Sequence, residues 1–341
     1  MELGVTTFAE TYPTGPSGET PTHGERLREV LEEVEVAEQV GLDVYGVGEH
    51  HRADFAASAP AVVLAAAAAR TSRIRLTSAV TVLSSADPVR TFQDFATLDL
   101  VSGGRAELMA GRGSFTESFP LFGYDLADYD ALFEEKLQLL LAIRDNERVT
   151  WSGSFRPALT DQPVYPRPEQ RPLPVWVAVG GNPESVVRAG VLGLPMALAI
   201  IGGSPSAFAP LADLHRRALE HGGHPAGSAP VAVHAHGYVA ESMEDAERDF
   251  YPAYARAMTQ LGRERGWPAM SQRSFRAMAG PEGSLVIGSP RQVADKILTM
   301  QEQLGIERFM LHISVGTLPH KDVLRAIERL GTEVAPLVAA G

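Results

Sequence analysis

The sequence predicts a (β/α)8 barrel, and three observations support that prediction. Strand-like and helix-like segments alternate from one end of the 341-residue chain to the other. Eight of these segments have the short, apolar character of buried parallel strands. Phe8-Ala9-Glu10 follows the first of them, where an open dinucleotide-binding sheet usually carries a glycine fingerprint, and Gly46-Val47-Gly48 lacks the third glycine of that motif.

The first half of the chain contains four strand–helix pairs. Its strands are predicted at Leu3–Phe8, Val44–Gly48, Ile74–Val82 and Ala106–Ala110. Each strand is followed by apolar residues at helical spacing, bounded by capping or stop residues. The predicted helices run from Leu27 to the stop at Gly41, from Ser58-Ala59-Pro60 to Arg70, from Asp87-Pro88 to Gly103-Gly104, and through Leu132–Leu141.

The second half repeats this scheme. Its strands are predicted at Val175–Val179, Met196–Ile201, Val231–Ala240 and Arg308–Ile313. Helices are predicted from Asn182-Pro183 to Gly193, over Ala207–His221, and near Lys321–Leu330.

Two inserts interrupt the repeat. Thr150–Pro174 is rich in proline and aromatic residues, which predicts a hairpin or an extended loop. Ser242–Ser289 opens with a helix capped by Ser242. Arg263–Ser284 is then predicted to be a long irregular stretch, either a mobile lid or a poorly ordered segment. No shift in composition marks a domain boundary, so residues 1–341 are predicted to form a single domain.

Composition excludes several classes of function. The net charge of -12 argues against a nucleic-acid or anionic-membrane partner. The absence of cysteine removes disulfides, thiolate metal sites and cysteine nucleophiles. The chain starts without a basic leader or an apolar signal core, and its longest apolar run, Ala59–Ala69, is too short to cross a bilayer. We therefore expect a cytoplasmic protein.

Two joints between strand and helix are candidate anion sites. The apolar run Val175–Val179 stops at Gly180-Gly181, and Asn182-Pro183 then supplies an N-cap and a first-turn proline. Free backbone N–H groups at such a helix start attract an anion, and glycines allow a phosphate to approach closely. Arg112 also follows an apolar strand, so the two joints together could hold one phosphate.

Histidines follow the second predicted strand, in the motif Glu49-His50-His51. Imidazole titrates near neutral pH, so His50 and His51 are candidate acid–base groups, although each could equally be a structural histidine. With Glu49, His234 and His236 they are also candidate metal ligands, because residues i and i+2 of a strand share a face. The chain lacks a clear bridging lysine or a well-placed aspartate on the last strand, which argues against a metal.

The ordered motifs of the chain resemble those of the bacterial luciferase-like flavin monooxygenases. These motifs are GVTTF, GEHH, SAVTVLSSADPVR, GGRAELMAGRG, GGNPESVVRAGVLGLPM and GSPRQVADKI. The resemblance covers nearly the whole chain and implies a luciferase-like (β/α)8 TIM barrel that forms a homodimer. It also implies that FMN, reduced by a separate flavin reductase, reacts with oxygen to oxidise a small apolar organic substrate such as an aldehyde.

The resemblance assigns cofactor-binding positions residue by residue. Its phosphate site corresponds to Arg112, Gly180, Gly181, Asn182 and Ser185. Luciferase subunits carry an acidic residue and a serine where Gly181 and Asn182 stand, so phosphate contacts here would depend more on backbone N–H groups.

The same resemblance assigns the flavin ring and the substrate pocket. Ala79 and Val80 match a non-proline cis peptide under the isoalloxazine ring, and His50 matches the catalytic histidine near its reactive edge. Phe8 and Phe115 correspond to substrate-pocket residues. Because Phe115 replaces a tyrosine of the light-emitting members, we expect no light emission.

Three other functions remain open from the sequence. A deazaflavin-dependent oxidoreductase could use the same fold, as could a metal-dependent hydrolase built on His50, His51, His234 and His236. The third is a flavin-binding protein without catalysis.

Overall fold

The computed structural model describes residues 1–13, 19–113 and 115–341. Twelve β-strands lie in this part of the chain. They are β1 (Glu2–Thr7), β2 (Val44–Val47), β3 (Arg75–Ser78), β4 (Thr81–Val82), β5 (Ala106–Gly111), β6 (Arg148–Trp151), β7 (Leu159–Pro163), β8 (Val175–Val179), β9 (Met196–Ala199), β10 (Val231–Val239), β11 (Val286–Gly288) and β12 (Arg308–His312).

Eight of the strands close into a parallel barrel, which confirms the predicted fold class. Their order around the barrel is β1, β2, β3, β5, β8, β9, β10 and β12. The ring is closed where β12 pairs with β1, with Arg308 opposite Glu2 and His312 opposite Thr6. Because all eight strands run in parallel, their carboxyl ends meet at one mouth of the barrel.

Helices coat the outside of the barrel. The α-helices are α1 (His23–Gln39), α2 (Pro60–Ala68), α3 (Pro88–Ser102), α4 (Ser118–Phe122), α5 (Tyr129–Asp145), α6 (Pro183–Val191), α7 (Ala209–His221), α8 (Met243–Arg265), α9 (Gln272–Ala279), α10 (Pro290–Leu304), α11 (His320–Arg329) and α12 (Ala335–Ala340). Several begin as predicted: Asp87 caps α3 by accepting the N–H groups of Val89 and Arg90. In the described residues, no helix has the length and apolarity that a membrane span requires.

The barrel has a core on each side of its wall. The larger core lies between the strands and the helices and contains most of the buried leucine, valine and phenylalanine side chains. A smaller cluster fills the inside of the barrel and consists of Val44, Met109, Trp176, Ala197, Ala232 and Met310. Burial on both faces explains why the strands read as continuous apolar runs in the sequence.

The third predicted strand is interrupted. Ile74–Val82 was expected to be one strand, but the chain forms β3 and β4 with a cis peptide bond between Ala79 and Val80. This is the position at which the resemblance implied a non-proline cis peptide, and the structure has it there.

The structure agrees with the prediction for the first insert and differs in part from the prediction for the second. Thr150–Pro174 contains most of the antiparallel hairpin β6–β7, as one of the two alternatives predicted. The prediction of an irregular stretch over Arg263–Ser284 is wrong in part, because α8 extends to Arg265 and Gln272–Ala279 forms α9. Ser271 caps α9 by accepting the N–H of Ser274, a local hydrogen bond that sparse apolar spacing did not reveal. Downstream, β11 pairs in parallel with the end of β10.

Candidate active site at the carboxyl end of the barrel

The structure brings the two predicted anion-binding joints together. Arg112 follows β5 and Ser185 lies in the first turn of α6, after the neighbouring strand β8. Nη2 of Arg112 donates to Oγ of Ser185 over 3.1 Å. A guanidinium and a helix start therefore converge at one corner of the barrel mouth.

The glycines of this corner leave the approach to the helix open. A Cβ added to Gly180 or Gly181 would meet no atom of the described residues within 4 Å, and Gly181 has a φ of +119°. Asn182 caps α6, with its Oδ1 accepting the backbone N–H of Glu184 over 2.8 Å. Such a helix start with an unobstructed approach suits an anionic group.

Arg112 has two further contacts that the sequence analysis missed. Its Nη1 forms an ion pair with Asp130, a side chain that is 71% exposed. Its guanidinium also lies over the ring of Tyr129, 5.3 Å from the centroid. Asp130 and Tyr129 begin α5, which does not directly follow β5 in the sequence, so strand-end reasoning passed over them.

Ala79 and Val80 lie on the inner side of the mouth, between two glycines. A Cβ on Gly48 would collide with the ring of Phe8 and lie 2.9 Å from the carbonyl oxygen of Ala79. A Cβ on Gly111 would lie 2.6 Å from Cγ2 of Val80. We call these four residues the mouth floor: Gly48, Ala79, Val80 and Gly111. Its glycines are required by close packing.

The predicted residues Phe8, His50 and Phe115 form one aromatic group. The ring centroids of Phe8 and His50 are 4.7 Å apart, and those of His50 and Phe115 are 5.1 Å apart. Phe55, which the sequence analysis did not select, lies 4.3 Å from His50. Burial lowers the pKa of His50 to about 4, so its imidazole is neutral at physiological pH.

His51 is separated from this group. Its Nε2 lies 2.9 Å from Oε1 of Glu49, and its ring contacts Phe122 of α4. Glu49 also accepts the backbone N–H of Val82 over 2.9 Å. His51 thus has a partner of its own at the rim.

A second group of histidines lies on the other side of Phe8. The ring of His312 is 4.3 Å from that of Phe8, and His234 and His236 lie within 5.5 Å of His312. Nε2 of His312 is 2.6 Å from Oε1 of the buried Glu10, whose Oε2 accepts from Ser314. Sequence reasoning missed His312 and Ser314, although both lie at the end of the eighth strand, where a strand-end inventory would find them.

The polar atoms of this group are incompletely paired. Nδ1 of His236 and the hydroxyl of Tyr254 are buried and have no hydrogen-bond partner among the described residues. Burial lowers the pKa of His234 to about 3 and that of His236 well below its ordinary value, so both are neutral at physiological pH. Buried groups of this kind are available for a ligand.

The metal-site alternative receives no support from this geometry. Over residues 1–13, 19–113 and 115–341, no three His, Asp or Glu side chains are arranged to hold a metal ion. His50 lies in the aromatic group, His51 pairs with Glu49, and His234 contacts His312 instead.

Arg52 links several segments at the rim of the mouth. Arg52 donates to Asp54 over 3.2 Å, to Glu117 over 2.8 Å and to Glu264 over 2.6 and 2.8 Å. Its guanidinium also lies 4.6 Å from the ring centroid of Phe115. The end of α8 is thereby connected to the loops that follow β2 and β5.

Comparison with known proteins agrees with the fold. The family described as luciferase-like monooxygenase matches residues 1–308. The chain therefore belongs to the luciferase-like monooxygenase family, and it is an enzyme of this oxidoreductase family.

Two relatives and one solved structure illustrate the range of the family. The 4-hydroxyprotoasukamycin monooxygenase of Streptomyces nodosus subsp. asukaensis is 28% identical over 336 residues, 95% of this chain and 90% of that protein. An F420-dependent glucose-6-phosphate dehydrogenase of Amycolatopsis mediterranei is 32% identical over 163 residues, 45% of this chain and 48% of that protein. The oxygenating constituent of 3,6-diketocamphane monooxygenase from Pseudomonas putida, solved with FMN, shares the fold, with a TM-score of 0.78 at 18% identity and coverage of 99% and 98%.

Proposed function

We propose that the protein is an FMN-dependent monooxygenase, which uses reduced FMN and oxygen to oxidise a small organic substrate. The observation that supports this most directly is the 3.1 Å contact between Arg112 and Ser185. It sets a positive charge beside a helix start whose flanking glycines leave the approach open. A terminal phosphate suits this corner, since guanidinium and backbone N–H groups both donate to phosphate oxygens.

Each part of the site has a role in this proposal. Arg112, Gly180, Gly181, Asn182 and Ser185 hold the phosphate. Ala79 and Val80 support the flavin ring from the mouth floor. When bound, reduced FMN supplies the electrons with which oxygen is activated.

His50 is the proposed catalytic residue. As a neutral imidazole it can donate one hydrogen bond and accept another, which allows it to hold a proton near the reacting atoms. Phe8 and Phe115 exclude water on either side of its ring and line the substrate pocket. We expect His50→Gln to slow turnover while the thermal unfolding midpoint near neutral pH stays close to that of the wild type.

Two partners belong to the proposal. A separate flavin reductase supplies reduced FMN, because the chain carries no dinucleotide fingerprint of its own. A second copy of the chain would cover the exposed apolar side chains of α2 and α3, which are Val62, Leu100 and Val101. Light scattering at several protein concentrations tests the homodimer, and a monomeric mass throughout would contradict it.

Cofactor titration tests the proposed function. Quenching of flavin fluorescence should saturate with FMN and be much weaker with riboflavin, which has the same ring system without the phosphate. Equal affinity for the two would contradict the assigned phosphate corner, and no saturable binding of oxidised or reduced FMN would contradict the function.

The second candidate is an F420-dependent oxidoreductase, favoured by the similarity to the F420-dependent dehydrogenase over almost half of the chain. The two candidates differ in the use of oxygen. Reduced FMN with substrate should consume oxygen, whereas reduced F420 should transfer hydride without oxygen uptake. Tight F420 binding with no FMN binding would favour the second candidate.

A further inference from the structure

A directed chain of hydrogen bonds runs from helix α1 to the barrel mouth. Nη2 of Arg26 and the backbone N–H of Ala9 both lie within 3.2 Å of Oγ1 of Thr7. Both groups can only donate, so Thr7 accepts twice and its own hydroxyl proton points elsewhere. Among the described residues, the remaining partner of Thr7 is Oγ of Ser314, at 2.9 Å.

The direction of the next bonds follows from this one. Ser314 accepts from Thr7 and donates its proton to Oε2 of Glu10 over 2.8 Å. Burial by itself would raise the pKa of Glu10, but His312, Ser314 and the charge of Arg26 together hold it below its usual value. Glu10 is therefore an ionised acceptor, although it is 3% exposed.

An ionised Glu10 fixes the tautomer of His312. Nε2 of His312 lies 2.6 Å from Oε1 of Glu10 and must carry the proton that this contact needs. Nδ1 is then the variable position of the ring, and it faces Oγ1 of Thr6 at 3.2 Å and Nε2 of His234 at 3.4 Å.

We propose that Glu10, His312 and His234 form a proton relay, through which the site accepts a proton from the hydroxyl group of a phenolic or enolic substrate. The proposal rests on the function given above, which it extends by a substrate class and a second acid–base group. His234 is the member next to the substrate, and its half-buried ring lies parallel to that of Phe8. Glu10 and His312 are positioning residues that act through it.

The surroundings of His234 and His312 differ in charge. Burial and the neighbouring His312 lower the pKa of His234 to about 3, whereas an imidazolium at His312 lies directly against a carboxylate. Among the described residues, the titratable groups in or near the relay include Glu10, Tyr12, Arg26, Tyr45, His50, His234, His236, His312 and Tyr254.

Proton transfer along the relay is balanced without a further reagent. The substrate O–H bond breaks, its electron pair stays on the oxygen, and Nδ1 of His234 gains the proton. Nε2 of His234 passes its own proton to Nδ1 of His312, whose positive charge is then paired with Glu10. The substrate becomes an electron-rich phenolate or enolate, the form that reacts readily with an electrophilic oxygen donor.

The lining of the mouth suits such a substrate. Phe8, Phe55 and Phe115 offer apolar rings, while Nδ1 of His236 and the hydroxyl of Tyr254 are buried and have no partner in the part of the chain that the structure describes. Unpaired buried polar groups disfavour a purely apolar ligand, because they would stay unsatisfied beside it. A ring with polar substituents would satisfy them.

Nuclear magnetic resonance of the protein without cofactor tests the relay itself. With 15N-labelled histidine, ten side chains contribute, and single substitutions assign them. We expect the proton of His312 on Nε2, and we expect Glu10→Gln to change this pattern. The control is Glu32→Gln, which removes the carboxylate 3.0 Å from His320 on the outer helices and should leave His312 unchanged. A neutral His312 protonated on Nδ1, or an unchanged pattern in Glu10→Gln, would overturn the proposal.

A phenol probe tests the substrate class independently of FMN. 4-Nitrophenol, added at a pH where it is protonated in water, should show the absorbance of its phenolate on binding to the wild-type protein. Glu10→Gln and His234→Gln should each reduce this band at least tenfold, and Glu32→Gln should not. Ser314→Ala, which keeps both Glu10 and His312, should retain part of the band and guards against misfolding of Glu10→Gln. Absence of a phenolate band in the wild type, or a full band in both relay variants, would refute the assignment.

Discussion

A polar cluster at the amino end of the barrel and one at its carboxyl end differ in how fully their atoms are paired. At the amino end, the buried guanidinium of Arg308 donates to Glu107 over 2.5 and 3.0 Å and to Glu2 over 2.7 Å, and it lies 4.3 Å from the ring centroid of Trp176. At the carboxyl end, His236 and Tyr254 carry buried polar atoms that no described residue pairs with.

We expect this difference to separate the groups that stabilise the fold from the groups that meet a ligand. Polar groups that satisfy one another stabilise a barrel end, and groups left unpaired are available to a ligand. Substitutions at the two ends should therefore have different consequences for stability and for ligand binding.

Substitution at the amino end should affect stability most. Arg308→Met leaves the 2%-exposed Glu107 without its main partner, and we expect a loss of about 3–5 kcal/mol in the free energy of unfolding. Urea denaturation followed by circular dichroism measures it. The double variant Arg308→Met/Glu107→Gln should recover part of the loss. A single-variant loss below about 1 kcal/mol would show that the amino end does not depend on this pair.

Acidification should lower the free energy of unfolding through the histidines of the mouth. The folded pKa of His50 is about 4 and the unfolded value is about 6.5, so the unfolded state binds more protons between these values. The free energy of unfolding therefore decreases as the pH falls from about 6.5 to about 4, by about 3 kcal/mol for His50. Urea midpoints across this range should depend less on pH in His50→Gln.

His320 on the outside of the barrel is the control for this pH experiment. Burial would lower its pKa, but the neighbouring carboxylates of Glu33 and Glu32 raise it above the ordinary value. Its stabilisation is present below about pH 6.5 and is lost as the pH rises through its folded pKa, so His320→Gln should change the pH dependence in the opposite sense. The same change in pH dependence in His50→Gln and His320→Gln would contradict this distinction between the mouth and the outside of the barrel.

Removal of the Arg112 side chain from the proposed phosphate site should weaken cofactor binding and leave the fold intact. Arg112→Ala should weaken FMN by about 1.5–3 kcal/mol, the loss of a charge-assisted contact, while riboflavin affinity stays unchanged. Fluorescence titration measures both ligands. Arg148→Ala, which breaks an exposed ion pair with Asp161 in the hairpin, should bind FMN as the wild type does. Wild-type FMN affinity in Arg112→Ala would remove Arg112 from the proposed corner.

Substitution of Asp130 should produce a small gain in FMN affinity. Asp130 pairs with Arg112 but is 71% exposed, and it competes with a phosphate for the same guanidinium. Asp130→Asn should therefore tighten FMN binding by up to about 1 kcal/mol, as exposed ion pairs are weak. The gain should diminish at high salt and be absent with riboflavin. Weaker FMN binding would mean that Asp130 supports the arginine instead of competing with the phosphate.

The barrel was predictable because its pattern is repetitive. Apolar runs such as Val175–Val179 and caps such as Asp87 are local features, and the structure has them where the sequence placed them. The second insert was predicted less well, since α9 is stabilised by tertiary contacts rather than by a long apolar stripe. Its one buried side chain, Phe275, packs on Tyr251 and Tyr254 of α8.

The residues of the candidate site could be predicted where a recognisable sequence motif contains them. Arg112 and Ser185 were selected from the ordered motifs, and they are in contact. The pairing of Glu10 with His312 joins residues 302 positions apart, so no spacing rule could indicate it. The tautomer of His312 depends on four successive hydrogen bonds and could be deduced only from their geometry.

The closely packed mouth floor limits how this enzyme can be engineered. Any side chain at Gly48 or Gly111 would meet Phe8, the carbonyl of Ala79 or Val80, so mutagenesis libraries directed there would mainly yield misfolded variants. Phe115 is half-buried and lies under Arg52 at the rim. Redesign of the entrance for larger molecules should begin at that ring and its neighbours.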